Sequence, residues 1–529
     1  MKSLLLSKFG GINTGNSPYS HEATDLLNVR ADEGALFVRP GTQNIGNIGL
    51  GKVRKLKEIK NHLFAVQEGE LKRFTGTSWE NSGITGIDIE SIPQFLNVYA
   101  SSGINLHTGT ISFVEEGAYL IQDSTKSFSE NDLVDKYIKI VSGKGTGQVR
   151  RIVANTDKDI LIADPWDITP EGASYVIQVA LEITLFTNGL VPPKQNDDIA
   201  SNTWSDILDI PFFDFIIEYK GRYIGARRDS RTVYISTIRG VEDFPYLPEI
   251  PKDEGYITGL VKFGNQLVVF LDNSVWVTEF ESPTELEFIE RAENYGCVNS
   301  ETIAVGEGFL FFLSDRGIEV FNTLETKLLE GHVAFSDYRL RELRNWDKSK
   351  AAACTFDGKY FCSIGTKTIV FDTLYYLRSL EEEGRRSDYV FLIDEGYVND
   401  CFCEFEGALY SGGQDRVVRH SLNYLDDDGV SFNRFWVKGK IDLKEPKRRQ
   451  ALISVTAETE PQDNTESLGV EVKSDMENKV LDDMELVSNV TQISGKRSRG
   501  RTHIVRLNLQ NLKRAKVRSV EALFEQGRF

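Results

Sequence analysis

Histidine, cysteine and methionine are scarce in this chain, with six, five and three among 529 residues. The histidines are scattered and no Gly-x-Ser-x-Gly elbow occurs, so a serine or cysteine nucleophile paired with a base has no sequence mark. An odd number of cysteines over a long chain reads as reduced thiols made in a cytoplasm rather than a disulfide framework. Cys401 and Cys403 stand two apart in "DCFCEF", on one face of a strand. A metal would need two more ligands and the nearest histidine, His420, stands alone, so buried strand thiols are expected and no metal. Long apolar runs are missing too. The start, "MKSLLLSKFGG", has only three consecutive leucines, and nothing approaches the roughly 18 apolar residues of a membrane span, so a soluble, unsorted chain without membrane insertion is expected. Positive charge is also short. A net charge of −18 argues against a protein that coats DNA by neutralising phosphates, but not against one past which DNA slides.

What is abundant points to β structure. Forty-four glycines, 31 phenylalanines and 19 tyrosines favour pleated, turn-rich sheets over helix bundles. The length favours several domains or one large repeat array. "GNQLVVFLDNSVWVTEF", residues 264 to 280, is a hairpin with almost no polar face, whereas a one-sided sheet alternates. Its shape recurs in "NHLFAVQEGELKRF" from 61, "GRYIGARRDSRTVYIS" from 221, "GFLFFLSDRGIEVFN" from 308, "GKYFCSIGTKTIVFDT" from 358 and "GALYSGGQDRVVRHS" from 407. From 221 onward the starts are 43, 44, 50 and 49 apart (264 − 221, 308 − 264, 358 − 308, 407 − 358), the period of a four-stranded propeller blade. Blades stacked on both faces would explain the lost alternation. Asp229-Ser230, Asp272-Asn273, Asp315-Arg316-Gly317 and Gly412-Gly413 suit tight turns, and Val269, Trp276, Phe311, Phe312 and Phe361 are expected in the blade core.

The fold class expected is therefore all-β: a six- or seven-bladed β-propeller with an inserted small β-barrel and a C-terminal β domain. Residues 1–52 are an N-terminal arm, 53–95 the first blade, 96–180 the barrel, 181–425 the remaining blades and 426–529 the C-terminal domain. A seventh blade would come from residues 76 to 115 or from the segment around "YVFLIDEG". In the barrel, "GKGTGQ" lacks the Gly-Lys-Ser/Thr of a phosphate loop and has strands around it, so it reads as a turn and no cofactor is expected. The run Asp426, Asp427, Asp428, Gly429 lacks the later ligands of a calcium loop and reads as a solvated turn.

Basic residues concentrate near the C-terminus: Lys444, Lys447, Arg448 and Arg449, then Lys496, Arg497, Arg499 and Arg501, then Lys513, Arg514, Lys516 and Arg518. In an acidic chain these clusters are candidate contacts to an acidic surface of a neighbouring copy or partner.

The stretch "FGGINTGNSPYSHEATDLLNVRADEGALFVRPGT", residues 9 to 42, carries Gly10, Gly11, Ile12 and Asn13, then Asn28-Val29, then Arg39, Pro40 and Gly41. It resembles the N-terminal signature of bacteriophage tail hub, nozzle or packaged-DNA-stabilisation proteins of short-tailed phages. "YKGRYIGARRDSRTVYISTIRGVEDF", with Ser236 and Asp243-Phe244, looks like a blade of that family. The resemblance implies a structural virion protein without enzymatic activity, assembled in the bacterial cytoplasm as a homo-oligomeric ring, expected as a hexamer. Such a ring extends the DNA channel below the portal and adaptor, retains the packaged genome until ejection, and anchors fibres or other tail parts. Double-stranded DNA passes through it without specific binding. Arg39, Pro40 and Gly41 are expected to close the arm, with Pro40 fixing φ and Gly41 allowing a turn. Two other functions fit a propeller. A glycoside hydrolase would use carboxylates such as Asp214, Asp272 and Asp357 at the blade turns, although no Ser-x-Asp-x-Gly-x-Thr-Trp box occurs. A scaffold of the WD-repeat kind would repeat Gly-His and Trp-Asp marks in every blade, whereas here Gly331-His332 occurs once and Trp-Asp twice, at Trp166-Asp167 and Trp346-Asp347, outside the recurring hairpins.

Overall fold

The computed structural model describes the chain apart from residues 1, 7–8, 10–12, 14–22, 33–34, 89–90, 116, 200, 208–209, 239–240, 242, 252–254, 323–333, 339, 378–390, 442–449, 461–465, 475–477, 481–483, 486–489, 495–498, 501–502, 514 and 527–529. It is all-β and of the propeller class, in two compact units: residues 54–300, and residues 1–53 with 301–529.

The first unit holds four blade sheets among the described residues. Blade 1 is Val53–Ile59, His62–Gln67, Glu70–Phe74 and Trp79–Asn81. Blade 2 was only half legible in the sequence. Its strands are 94–101, paired with 180–187, then Lys194–Asn196 and Ser205–Asp206. Blade 3 is Phe215–Tyr219, Arg222–Ala226 and Val233–Ile235; blade 4 is Ile257–Phe263, Gln266–Leu271, Ser274–Thr278 and Ile289–Glu293. The second unit holds three more. Blade 5 is Ala304–Gly306, Phe309–Leu313 and Ile318–Asn322, and blade 6 is Ala352–Phe356, Lys359–Ile364, Lys367–Asp372 and Phe391–Glu395. Blade 7 takes Cys401–Phe405, Ala408–Gly412 and Val417–Ser421 from late in the chain and its fourth strand, Gly41–Asn44, from the beginning.

A two-residue turn joins the first and second strands of six of these sheets, and in five of them both turn residues have positive φ. Lys60-Asn61, Lys220-Gly221, Glu307-Gly308, Asp357-Gly358 and Glu406-Gly407 all have φ between +46° and +77°. That left-handed pair matches the twist of the strands it joins. Five of the six repeats seen in the sequence begin at or beside such a turn and the sixth begins at the Gly264-Asn265 connection, so the repeats are second and third strands. Gly412 ends a strand, while Gly413 opens the connection to the next one with its N–H donating to Arg416 O, and neither has positive φ.

The second strands are buried on both sides. In His62–Gln67, Gln266–Leu271 and Lys359–Ile364 every residue after the first is buried, and in Arg222–Ala226, Phe309–Leu313 and Ala408–Gly412 all are. Neighbouring blades supply the cover. Phe186 of blade 2 packs with Phe64 and Val66 of blade 1; Val98 and Leu185 pack with Phe213, Ile216 and Tyr223 around blade 3; Ile224 and Val233 pack with Leu267, Val269 and Trp276 of blade 4. In the second unit Phe311 of blade 5 stacks on Tyr360 of blade 6 at 4.6 Å, and Phe361 meets Phe402 of blade 7. Val269, Trp276, Phe311, Phe312 and Phe361 are all buried, as the sequence implies.

The inserted barrel grows out of blade 2. Strands Gln94–Thr110 and Ser174–Thr187 run through both, with register shifts at Ser101/Asn105 and Asn105/His107 where blade becomes barrel. Beyond the shifts the sheet continues through Tyr137–Ser142, Val149–Asn155, Asp159–Ile162, Leu120–Gln122 and Phe113–Val114, which lies three residues past Thr110 in the chain. Ile121, Ile138, Ile140, Ile152, Ile160 and Tyr175 fill it.

Residues 1–52 do more than lead into the first blade. Lys2–Leu6, Val29–Asp32 and Ala35–Val38 join Lys516–Gln526, Gln450–Glu460 and Val490–Ser494 in one sheet. Asp25–Leu27 joins Phe435–Ile441, His503–Asn508 and Ser467–Ser474 in another. Leu36, Val455, Val517 and Phe524 from the first sheet and Leu26, Trp436, Val470 and Leu507 from the second share one core. The C-terminal domain is thus completed by strands from the opposite end of the chain.

Candidate functional site

The most elaborate polar construction in the second unit lies where this N-terminal segment crosses blades 6 and 7. Arg39 is at its centre, 2 % exposed. A guanidinium has five N–H donors in a rigid plane, and here each has an acceptor. Nε donates to Asn28 Oδ1 (2.7 Å), Nη1 to Pro40 O (2.7 Å) and Asp427 Oδ1 (3.1 Å), and Nη2 to Glu395 O (3.0 Å) and Asp427 Oδ2 (2.5 Å). The Phe432 ring, 3.7 Å from the guanidinium carbon, covers one side of it and Tyr397 lies at 4.7 Å. Asp427, read from sequence as part of a solvated turn, is instead buried and holds this cation and the Thr42 hydroxyl. A carboxylate opposite a buried arginine must leave water with it.

Asn28 adopts a left-handed conformation, φ +54°, which a short amide side chain tolerates. Its Nδ2 donates to Asn433 O, while its Oδ1 accepts from Glu395 N as well as from Arg39. Arg30 makes two 2.7 Å hydrogen bonds to Asp394 of blade 6. Burial alone would raise the Asp394 carboxyl, but the Arg30 charge and its hydrogen bonds outweigh that and hold it below the usual carboxylate value. Gly41 does not provide the turn expected of it. A Cβ there would meet Asp426 O at 2.3 Å and Tyr424 O at 2.7 Å, so glycine is required by close backbone approach.

His420 follows in the same stretch, its ring edge-on to Tyr397 at 4.7 Å and its Nε2 2.8 Å from Ser411 Oγ. The pair resembles a nucleophile and base only superficially. Ser411 has no exposed surface, and Asp394 is committed to Arg30. Burial first, then the Arg39 charge, pushes the His420 imidazole down to about 3. The folded protein therefore keeps His420 neutral where an unfolded chain binds a proton. Stability is expected to fall as pH drops from about 6.5 towards 3. Thermal scans across that range should show a flatter decline for His420→Gln; an unchanged slope would assign the effect elsewhere.

A second buried network, in the first unit, joins the barrel to blade 3. Asp167 receives Arg150 Nη2 at 3.0 Å and Arg222 Nη2 on its other oxygen. Arg150, fully buried, also donates to Pro165 O and Ile238 O, and Arg222 to Ser236 O. Burial acts to raise the Asp167 carboxyl, but the Arg222 hydrogen bond and the Arg150 charge hold it below its ordinary value.

The remaining sequence candidates are scattered over both units. Asn13 is buried and its N–H donates to Ala23 O, while Gly10 and Gly11 lie outside the described residues. Lys444, Lys447, Arg448, Arg449, Lys496, Arg497 and Arg501 also lie outside them; Arg499 is on a short strand paired with Ala451. Arg518 is ion-paired with Glu460 at 2.7 Å. The three carboxylates that a hydrolase would use serve local turns: Asp214 accepts from Arg228 N, Asp272 from Tyr256 N, and Asp357 has φ +47° in a hairpin turn. Cys401 and Cys403 are buried on their strand, and no cluster able to hold a metal occurs among the described residues. The Gln148 side chain donates to Gly145 O and Ile168 O, closing the "GKGTGQ" loop.

No protein family matches the chain, and no curated protein is similar to it. Among solved structures it is similar to the computationally designed Ika8 protein (11 % identity, TM-score 0.32, covering 72 % of this chain and 99 % of that one). It is likewise similar to the WD40 β-propeller domain of Doa1 (10 %, 0.33, 72 % and 96 %) and to the Neurospora crassa Pan2 WD40 domain (9 %, 0.31, 63 % and 97 %). At these identities and TM-scores the likeness assigns no activity.

Proposed function

We propose that the chain is a structural subunit of a phage tail, a nozzle or hub protein that assembles into a ring around the path of DNA, has no catalytic role, and contacts the portal and adaptor on one side and fibres or other tail parts on the other. The observation that carries this reading is the stretch 9–42. Its likeness to the tail-protein signature includes Asn28, Arg39, Pro40 and Gly41, and those residues are where the N-terminal segment is fastened to blades 6 and 7. A strap that ties both ends of the chain together suits a part that must stay assembled under the load of a packed genome. The net charge of −18 fits as well, because an acidic wall repels duplex phosphate and lets DNA move without adhering.

Electron microscopy of the purified protein tests the reading. The expected particle is a closed ring, a hexamer, with a channel wide enough for duplex DNA and lined by an excess of Asp and Glu. A monomer that turns over oligosaccharide, or a ring with a basic lumen, would overturn it.

A further inference from the structure

The second unit contains a cavity of about 770 Å³ between the N-terminal strands, blades 6 and 7, and Lys513 and Lys516. Its lining differs in sign from the chain as a whole. Two of its arginines, Arg30 and Arg39, are neutralised by Asp394 and Asp427. Its two carboxylates, Asp357 and Asp372, each lie within 4 Å of Lys359. Arg419 and Lys516 add two further cations to the lining. The walls are apolar: Phe37, Phe356 and Leu425 are half-buried, and Leu422 on the rim is 62 % exposed. A concave site with an apolar floor and converging cations suits an anionic segment that carries an aliphatic or aromatic side chain between its carboxylates.

The chain itself displays such a segment. The outer edge of blade 4 reads "ELEFIERAE", residues 285 to 293, and Glu285, Glu287, Glu290 and Glu293 are exposed there. Ile289 is 46 % exposed beside them. Within this stretch Ile289–Glu293 is the last strand of its sheet, a position that leaves one backbone edge open to a partner, and Glu285 and Glu287 lie in the segment that leads into it. We propose that the cavity receives the acidic edge of blade 4 from a second copy of the chain. The two surfaces are different, so the contact is head-to-tail, the kind that closes into a ring when the rotation per copy allows. This contact rests on the ring proposed above and names the surfaces that would build it.

Charge reversal on the full-length protein tests it, with assembly read by native mass spectrometry and sedimentation at low and high salt. Arg419→Glu with Lys516→Glu, or Glu287→Lys with Glu290→Lys, should each weaken assembly by roughly 100-fold, since like charges brought together cost several kcal/mol. All four substitutions in one chain should restore it, because every contact then pairs opposite charges again. Circular dichroism checks that each variant is folded. If the wild type forms a ring and either double variant assembles equally well, or the fourfold variant is no better than the doubles, the contact is wrong and the ring stands. A wild type that is monomeric at every concentration removes both. If a short fluorescent DNA duplex binds the wild type but not Arg419→Glu/Lys516→Glu, while assembly is unchanged, the cavity reads phosphate and the proposal falls.

Discussion

Replacing Arg39 with alanine is expected to destabilise the second unit by about 3–5 kcal/mol, the scale for removing one partner of a buried ion pair and stranding the other. Asp427 would be left 6 % exposed without its cation, and Asn28 Oδ1, Pro40 O and Glu395 O would each lose a donor. The damage should be local at first. Strand Gly41–Asn44 is held in blade 7 next to this site, so it should detach before the blade core melts. Urea unfolding and timed proteolysis read the two effects, with early cleavage expected within residues 1–52. Arg39→Lys should recover little, because an ammonium cannot supply five coplanar donors or lie flat on Phe432. A lysine variant with wild-type stability would show that charge alone suffices.

Asp167→Ala is expected to have the largest effect in the first unit, again about 3–5 kcal/mol, since it strands two cations at once. Arg150 is fully buried and Arg222 is 3 % exposed, so neither reaches water without moving the barrel or blade 3. Asp167→Asn should fall between, keeping one acceptor oxygen for one of the two arginines while losing the charge and the other acceptor. A thermal scan should show the first unit melting earlier, with protease entering the 96–180 region. If the double substitution Arg150→Met/Asp167→Leu proves more stable than Asp167→Ala, the cost comes from the stranded charge and not from lost volume.

The blades were legible because their signal is local. A turn residue, a run of apolar residues and a second turn fit within about fifteen positions, and burial on two faces erases alternation wherever a blade stacks on its neighbours. Blade 2 lost that signature. The barrel separates its first two strands, and its last two are Lys194–Asn196 and Ser205–Asp206, too short to show a period. Blade 7 was identified by its middle strands, yet its fourth comes from 41–44, a pairing across most of the chain that no local pattern records.

The strap shows the same limit. Arg39, Pro40 and Gly41 stood out as a motif, but their roles depend on Asp427, Tyr424 and Glu395, hundreds of residues away. Asp427 sat in an acidic run that looked solvated because only the fold brings a cation to it. Asp167, Arg150 and Arg222 carried no mark at all, since one charge among many in an acidic chain is indistinguishable until its partners are known.

The architecture rests on the N-terminal strand completing blade 7, and a cross-link measures that directly. Gln43 and Arg419 lie opposite each other in the paired strands, and both side chains are exposed. Cysteines placed at both positions are within reach of a disulfide. Under mild oxidation, peptide mapping of Gln43→Cys/Arg419→Cys should find residue 43 bonded to residue 419 in the same chain, with the native Cys401 and Cys403 unreacted in their buried strand. Residue 43 bonded elsewhere, or unbonded while residues 1–52 are released by protease, would contradict the structure at the point on which the strap, the completed C-terminal domain and the proposed ring all depend.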